Sequence, residues 1–309
     1  MDSPRRSVVV REVGLRDGLQ SIARTLPTDR KLEWVRGARD AGLCEIEVGS
    51  FVPPKLLPQL ADTAAVVAGA IALDGVVVSV LVPNLKGAER AIACGAHSML
   101  VPLSASHAHS LANLRKAPDD VVREIAAIRA LRDAAGSACE LEVGISTAFG
   151  CTMQGRVEPQ EVLRLVRAVL DAGVDRVGLA DTVGYADPKA VRELFDRAFE
   201  VAGERLACGH FHDTRGLGLA NVYAAWQAGV RRFDASLAGI GGCPYAPGAS
   251  GNVATEDVAY LFASMGEVTG IDLDALFALR AKVAQWLDGE PLHGAVWRAG
   301  LPRTMRETA

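Results

Sequence analysis

No stretch of the 309-residue chain is apolar for long enough to cross a bilayer as a helix, which argues against a membrane partner. The N-terminal residues Met1-Asp2-Ser3-Pro4-Arg5-Arg6 run straight into a β-branched segment without the apolar centre of a signal peptide, so a cytoplasmic protein is expected. A large charge imbalance is also missing: the net charge is −4 with acids and bases interspersed, which speaks against nucleic acid as a partner. The six cysteines (Cys44, Cys94, Cys139, Cys151, Cys208 and Cys243) are widely scattered and include no C-x-x-C pair. That spacing excludes a disulfide framework and suits reduced thiols. Aromatic residues are scarce, at 5% of the chain, so a core of this size has to be built from Ala, Val, Leu and Gly.

What is present is a rhythm. Short β-branched runs at 7–13, 44–48, 76–81, 98–101, 141–146, 176–179, 205–212 and 232–236 read as strands. Between them lie helical stretches at 28–41, 59–70, 85–94, 118–135, 159–172, 188–201 and 219–228. Asp40-Ala41-Gly42, Asp171-Ala172-Gly173 and Gln227-Ala228-Gly229 repeat one phrase, and Ala93-Cys94-Gly95 is a looser copy. Each places a glycine where a helix ends before the next strand. Eight strand–helix units with no break in composition predict an α/β fold, a (β/α)8 TIM barrel with a C-terminal helical extension. The competing open, doubly wound sheet fits less well, because more helix and no second domain follows the eighth unit. The expected layout is a single domain over 1–309, with the barrel at about 7–262, helices at about 263–290 and a tail over 291–309.

In such a barrel the active site lies at the C-terminal ends of the strands, so ionisable residues just after a strand are candidates. Strand one supplies Arg16 and Asp17, strand two Glu47, and strand six Asp181. Strand seven carries His210-Phe211-His212, two imidazoles on one face because strand side chains alternate. The loop after strand eight carries Cys243 and Asn252 among several glycines. Singly, each has an ordinary structural account: Arg16–Asp17 as a loop ion pair, Asp181 as a helix cap, Cys243 as a small buried group. Their convergence on one mouth is what points to a site.

One carboxylate (Asp17), two imidazoles (His210, His212) and the Asn252 amide oxygen form a mixed O/N ligand set. It suits Mg²⁺ or Mn²⁺ better than structural zinc, with catalytic Zn²⁺ or Co²⁺ as alternatives. Such a cation can chelate two substrate oxygens and act as a Lewis acid. A cysteine in a glycine-rich loop beside it could carry a proton. The glycines match neither G-x-x-x-x-G-K-[ST] nor a G-x-G-x-x-G in its strand–helix context, so a nucleotide-phosphate loop is not expected.

Glu12-Val13-Gly14-Leu15-Arg16-Asp17-Gly18-Leu19-Gln20, Gly209-His210-Phe211-His212-Asp213-Thr214 and the run Gly241-Gly242-Cys243-Pro244-Tyr245-Ala246-Pro247-Gly248-Ala249-Ser250-Gly251-Asn252 resemble the 3-hydroxy-3-methylglutaryl-CoA lyase family of the DRE-TIM metallolyase superfamily. Ser50-Phe51-Val52-Pro53-Pro54-Lys55 and Leu81-Val82-Pro83-Asn84-Leu85-Lys86-Gly87 resemble it too, and the likeness covers about 8–288. The cysteine loop is its most specific part, since condensing relatives share the Arg-Asp and H-x-H features without it.

The resemblance implies a divalent metal on Asp17, His210, His212 and Asn252, and cleavage of a 3-hydroxy-3-methyl acyl-CoA to a keto acid and an acyl-CoA enolate. It implies Arg16 as counter-charge to the enolate, Cys243 as a proton donor or closing group, and Glu47 and Asp181 as supporting or proton-relay groups. The chain departs from the family at Ser21-Ile22, where Asn-Glu is usual, at His107, where Glu is expected, and at Thr152-Met153-Gln154, where Pro-Tyr-Glu is usual. These changes put the acyl group in question rather than the metal chemistry. Three alternatives stay open: an acetyl-CoA condensing enzyme, expected to carry a C-terminal regulatory domain; a 4-hydroxy-2-oxoacid aldolase without CoA; and a non-enzymatic scaffold. Loops and C-terminal helices also offer surface for a homodimer or larger homo-oligomer.

Overall fold

The computed structural model describes residues 7–242 and 251–306. Eight parallel strands run in chain order around a closed barrel: β1 (Val9–Glu12), β2 (Glu45–Ser50), β3 (Val77–Leu81), β4 (Ser98–Ser104), β5 (Glu140–Ser146), β6 (Arg176–Asp181), β7 (Leu206–Phe211) and β8 (Arg232–Ala235). Closure is made by β1 against β8, with Val9 opposite Arg232 and Glu12 opposite Ala235. Around them lie α1 (Thr28–Asp40), α2 (Thr63–Ala70), α3 (Leu85–Ala93), α4 (His107–Leu114), α5 (Pro118–Ala134), α6 (Pro159–Asp171), α7 (Pro188–Ala202), α8 (Gly218–Gln227) and α9 (Thr255–Ser264). This is the (β/α)8 barrel expected from the rhythm of the sequence.

The strand pattern follows from the two environments that each strand separates. On β5, Leu141, Val143 and Ile145 are buried, while Glu142, Gly144 and Ser146 line the central cavity. Period-2 alternation therefore sends the apolar set to the surrounding helices and a different set inward. The few aromatics cluster: Phe195 and Phe211 lie 6.2 Å apart between ring centroids, with Phe149 against both. Gly42 ends α1 at φ 90°, where a side chain would also collide with the carbonyl oxygen of Gly270.

Some boundaries differ from the sequence reading. The second helix begins at Thr63, after a short turn over Pro58–Leu60. Helix α4 was not anticipated, because His107-Ala108-His109-Ser110 shows no apolar period; Ser106 caps it by accepting the His109 amide at 3.2 Å. The stretch read as one or two helices over 265–288 is a single helix, α10 (Leu273–Trp286), packed on α1. The region read as a tail contains α11 (Ala295–Ala299) and α12 (Arg303–Arg306). The amides of Ala295 and Val296 donate to the Asp257 carboxylate, each at 2.8 Å, which ties α11 to α9. No helix among the described residues is long and apolar enough to cross a membrane, and the described cysteines form no disulfide.

Candidate active site

Strand β1 ends in a wide helical turn, Gly14–Gly18, closed by the Asp17 amide on the Val13 carbonyl at 2.7 Å. The turn presents Arg16 and Asp17 side by side. Glu12 supports it from below: its carboxylate accepts the amides of Gly14 (2.8 Å) and Leu237 (3.0 Å) and the Thr255 hydroxyl (2.6 Å). One buried acid thus ties the loops after β1 and β8 to the start of α9. Burial raises its pKa to about 7, against the opposing effect of those three donors.

Strand β7 delivers His210 and, one residue beyond its end, His212. Their Nε2 atoms lie 3.2 Å apart, and each is about one ligand diameter from Asp17 Oδ2, at 3.9 Å and 4.0 Å. The three ligand atoms form a cluster able to hold a cation. Asn252 stands beside it. Its segment runs antiparallel to the end of β7, with Val253 N on Phe211 O at 3.1 Å, and its amide nitrogen lies 2.7 Å from Asp17 Oδ2.

Two features test whether a metal fits. The Asn252 amide oxygen is buried with no hydrogen-bond partner, a costly state that a cation relieves. Two imidazole nitrogens facing each other across 3.2 Å also need a proton or a cation between them. The donors therefore fit a divalent ion. Burial, and then the neighbouring His210, lowers the His212 pKa to about 4, so its ring is neutral and free to ligate at pH 7. Burial works to raise the Asp17 pKa, but Arg16 and the two histidines outweigh it and hold the carboxylate ionised.

Beneath this cluster lies a layer of charge that sequence reasoning missed. Arg11 on β1 donates to Glu142 on β5 through both terminal nitrogens (2.8 and 2.9 Å) and to Asp234 on β8 through Nε (2.7 Å) and Nη2 (3.2 Å). Asp234 Oδ2 also lies 3.1 Å from His210 Nδ1. It orients the ring so that Nε2 faces the cavity, the usual arrangement behind a ligating histidine. Burial alone would lower the His210 pKa, but Asp234 more than reverses this. The available signal was charge inside three strands of a closed barrel: Arg11 in Val-Val-Val-Arg, Glu142 in Glu-Leu-Glu-Val and Asp234 in Arg-Phe-Asp-Ala.

The other candidates separate. Glu47 is buried and accepts Arg16 Nε at 2.7 Å, while Arg16 Nη1 donates to Asp17 Oδ1 at 2.6 Å. Arg16 is thus gripped on two sides, and Nη2 has no protein partner among the described residues, in the cavity that Arg16 lines. Asp181 is buried, and its oxygens accept the amides of Tyr185 (2.8 Å) and Ala186 (3.0 Å). It holds the loop after β6 and is not among the residues that line the cavity. Cys243 lies outside the described residues. Of the positions that depart from the family pattern, Ser21 and Ile22 line the cavity, whereas His107, Thr152, Met153 and Gln154 are exposed beyond it.

The cavity measures about 1260 Å³. Asn84, Asn113, Arg115 and Lys116 stand along one side of it, the last three from α4 and its C-terminal end. Its wall is uneven: charged side chains come from β1, β7 and β8 and from Glu142 on β5, and apolar or small ones (Leu81, Leu100, Pro102, Gly144, Gly178, Ala180) from β3 to β6.

A family model described as HMGL-like matches residues 7–283. The chain is 42% identical over 278 residues to the 3-hydroxy-3-isohexenylglutaryl-CoA/hydroxy-methylglutaryl-CoA lyase of Pseudomonas aeruginosa, covering 89% of this chain and 91% of that one. It is 36% identical over 290 residues to the hydroxymethylglutaryl-CoA lyase of Bacillus subtilis, covering 93% and 95%. Among solved structures, an HMG-CoA lyase from Acinetobacter baumannii in complex with coenzyme A and 3-methylmalate superposes with a TM-score of 0.90 at 39% identity, covering 97% of each chain.

Proposed function

Since the chain belongs to the HMGL-like family and is a carbon–carbon lyase, we propose that it cleaves 3-hydroxy-3-methylglutaryl-CoA to acetoacetate and acetyl-CoA. The observation that carries this reading is the meeting of Asp17, His210 and His212, with Asn252 against Asp17, beside Arg16 in the cavity. Those four residues would hold the divalent ion, and the O/N donor set with no thiolate favours Mg²⁺ or Mn²⁺. When bound, that ion supplies chelation of two substrate oxygens and a lowered pKa for the 3-hydroxyl.

The protein's own groups account for the rest. Loss of the 3-hydroxyl proton turns C3 into a ketone, and the electrons of the C2–C3 bond pass to the thioester as an enolate. Arg16, locked by Glu47 and Asp17, presents Nη2 to the developing oxyanion at no cost in reorganisation. A proton delivered to C2 then completes acetyl-CoA, and Cys243 is the proposed donor. Asp234 keeps His210 in the tautomer that ligates. Arg115 and Lys116, the latter paired with Glu124, line the cavity and are the proposed contacts for the phosphates of an acyl-CoA.

The test is release of acetyl-CoA from 3-hydroxy-3-methylglutaryl-CoA by the Mg²⁺-loaded protein, with Asp17→Ala and a chelator as controls. Turnover abolished by both is the expected result. Unchanged turnover in Asp17→Ala, or none in the wild type with metal bound, would overturn it.

A further inference from the structure

The interior of a (β/α)8 barrel is ordinarily filled by side chains from its strands. Here one half of it is not. On the β3–β6 side the inward positions include Leu81, Leu100, Pro102, Gly144, Gly178 and Ala180, with Ser146 beyond Gly144 on β5 and Glu142 before it, and the cavity continues between them down to Arg11. Pairing places these residues next to one another: Leu81 opposite Leu100, Pro102 opposite Gly144, Gly144 opposite Gly178. Ala180 is the register partner of His210, so the lobe opens directly beside the ligand cluster.

The two glycines have different reasons to be there. A methyl group on Gly178 would sit 3.1 Å from Cys208 Cβ and 3.2 Å from the Cys208 carbonyl oxygen, so close packing against β7 favours glycine. A methyl group on Gly144 would meet only Leu100 Cδ1, at 3.4 Å, an ordinary contact. Gly144 also has no positive φ that would require glycine. Neither backbone nor neighbour explains the missing side chain. What its absence does is keep the lobe open.

The lobe's lining selects its occupant. Its walls are mainly apolar, with the Ser146 hydroxyl already donated to the Leu103 carbonyl at 3.3 Å. At its floor the one cation, Arg11, is already engaged by four hydrogen bonds to two carboxylates, Glu142 and Asp234. Among the described residues that line this lobe no cation is left for a substrate carboxylate, and the two acids repel one. We propose that this lobe receives an apolar substituent larger than methyl at C3 of the substrate, and that Gly144 is the residue that admits it. This rests on the acyl-CoA lyase reading above, and it makes Gly144 a specificity determinant of that site.

Burying each further methylene tightens binding about four-fold while room remains. The experiment uses the full-length, Mg²⁺-loaded protein and 3-hydroxyglutaryl-CoA thioesters with methyl, propyl and hexyl groups at C3, alongside Gly144→Leu and Gly144→Ala. The wild type is expected to cleave the propyl and hexyl substrates with kcat/KM at or above that for methyl. Gly144→Leu should lower the hexyl-to-methyl ratio of kcat/KM by about 10–200-fold. Gly144→Ala should fall between them, and it serves as the readout if the leucine variant does not fold. A wild type confined to methyl, or variants that leave the methyl-to-hexyl ratio unchanged, would overturn the proposal while leaving the lyase reading intact. Absence of cleavage on every substrate would refute the lyase reading instead. Calorimetric binding of free 3-hexyl- and 3-methyl-3-hydroxyglutarate then decides the lobe: a hexyl preference lost in the Gly144 variants supports it, and no preference overturns it.

Discussion

Asp234→Asn removes one charge from beneath the ligand cluster while keeping the shape of the side chain. In the wild type Asp234 accepts Arg11 Nε at 2.7 Å and lies 3.1 Å from His210 Nδ1, in a site that is nearly closed to solvent. An amide has a single acceptor oxygen, so its NH₂ must face one of those two donors. Removing one partner of a buried ion pair commonly costs about 3–5 kcal/mol, because the other charge is stranded. That does not happen here: Arg11 keeps both hydrogen bonds to Glu142, at 2.8 and 2.9 Å. The expected loss is therefore that of charge-assisted hydrogen bonds, about 1–3 kcal/mol, read from urea unfolding of the metal-free protein. The larger consequence falls on the metal. Groups that orient a ligating histidine are typically worth about 10–100-fold in affinity. Titration of Mn²⁺ into the folded variant should show a drop of that size, with His210 titrating lower than in the wild type because Asp234 no longer raises its pKa. Wild-type Mn²⁺ affinity in a folded Asp234→Asn protein would refute the orienting role. A stability loss above about 5 kcal/mol would show that Glu142 does not hold Arg11 alone.

Two further outcomes follow. Cys243→Ser should slow acetyl-CoA release by about 10²–10⁴-fold while leaving Mn²⁺ affinity unchanged, and turnover at the wild-type rate would remove Cys243 from proton delivery. Glu12→Gln addresses pH. The Glu12 pKa is raised to about 7 in the folded state, from 4.5, so the folded protein binds the extra proton between those values and stability falls as pH rises through them. The full effect for such a buried group is about 3 kcal/mol. Glutamine carries no charge to bury, so the variant's melting temperature relative to wild type should be higher at pH 8 than at pH 5. Parallel melting curves across that range would refute the assignment.

Much of the architecture was legible before any coordinates, for physical reasons that act locally. Strands such as Val8-Val9-Val10 and Val76-Val77-Val78 are β-branched and apolar because they are enclosed between helices and barrel interior. Glycines such as Gly42 and Gly173 stop helices because only they take up the required positive φ without strain, and both do so here. Arg16, Asp17, His210, His212 and Asn252 announced themselves as polar groups at strand ends, where the fold must expose them. Spacing of two along a strand was enough to put both imidazoles on one face.

What depended on closure of the barrel was contact between residues far apart in the chain. Arg11 meets Glu142 and Asp234 across 131 and 223 positions, and no local pattern links three charges in three separate strands. Asp181 and Glu47 are both acids at strand ends, yet one is spent on loop amides and the other grips Arg16, a difference set only by which donors come within reach. The openness of the β3–β6 half is likewise invisible in sequence. Gly144 and Gly178 read alike as glycines in strands, and only their surroundings show that Cys208 crowds one while the other has space. Local sequence determined the elements and the chemical types at their ends, because backbone propensity and side-chain alternation act over a few residues. Tertiary structure decided the partners, the pKa values and the shape of the cavity, because each depends on burial and on groups brought from opposite sides of the barrel.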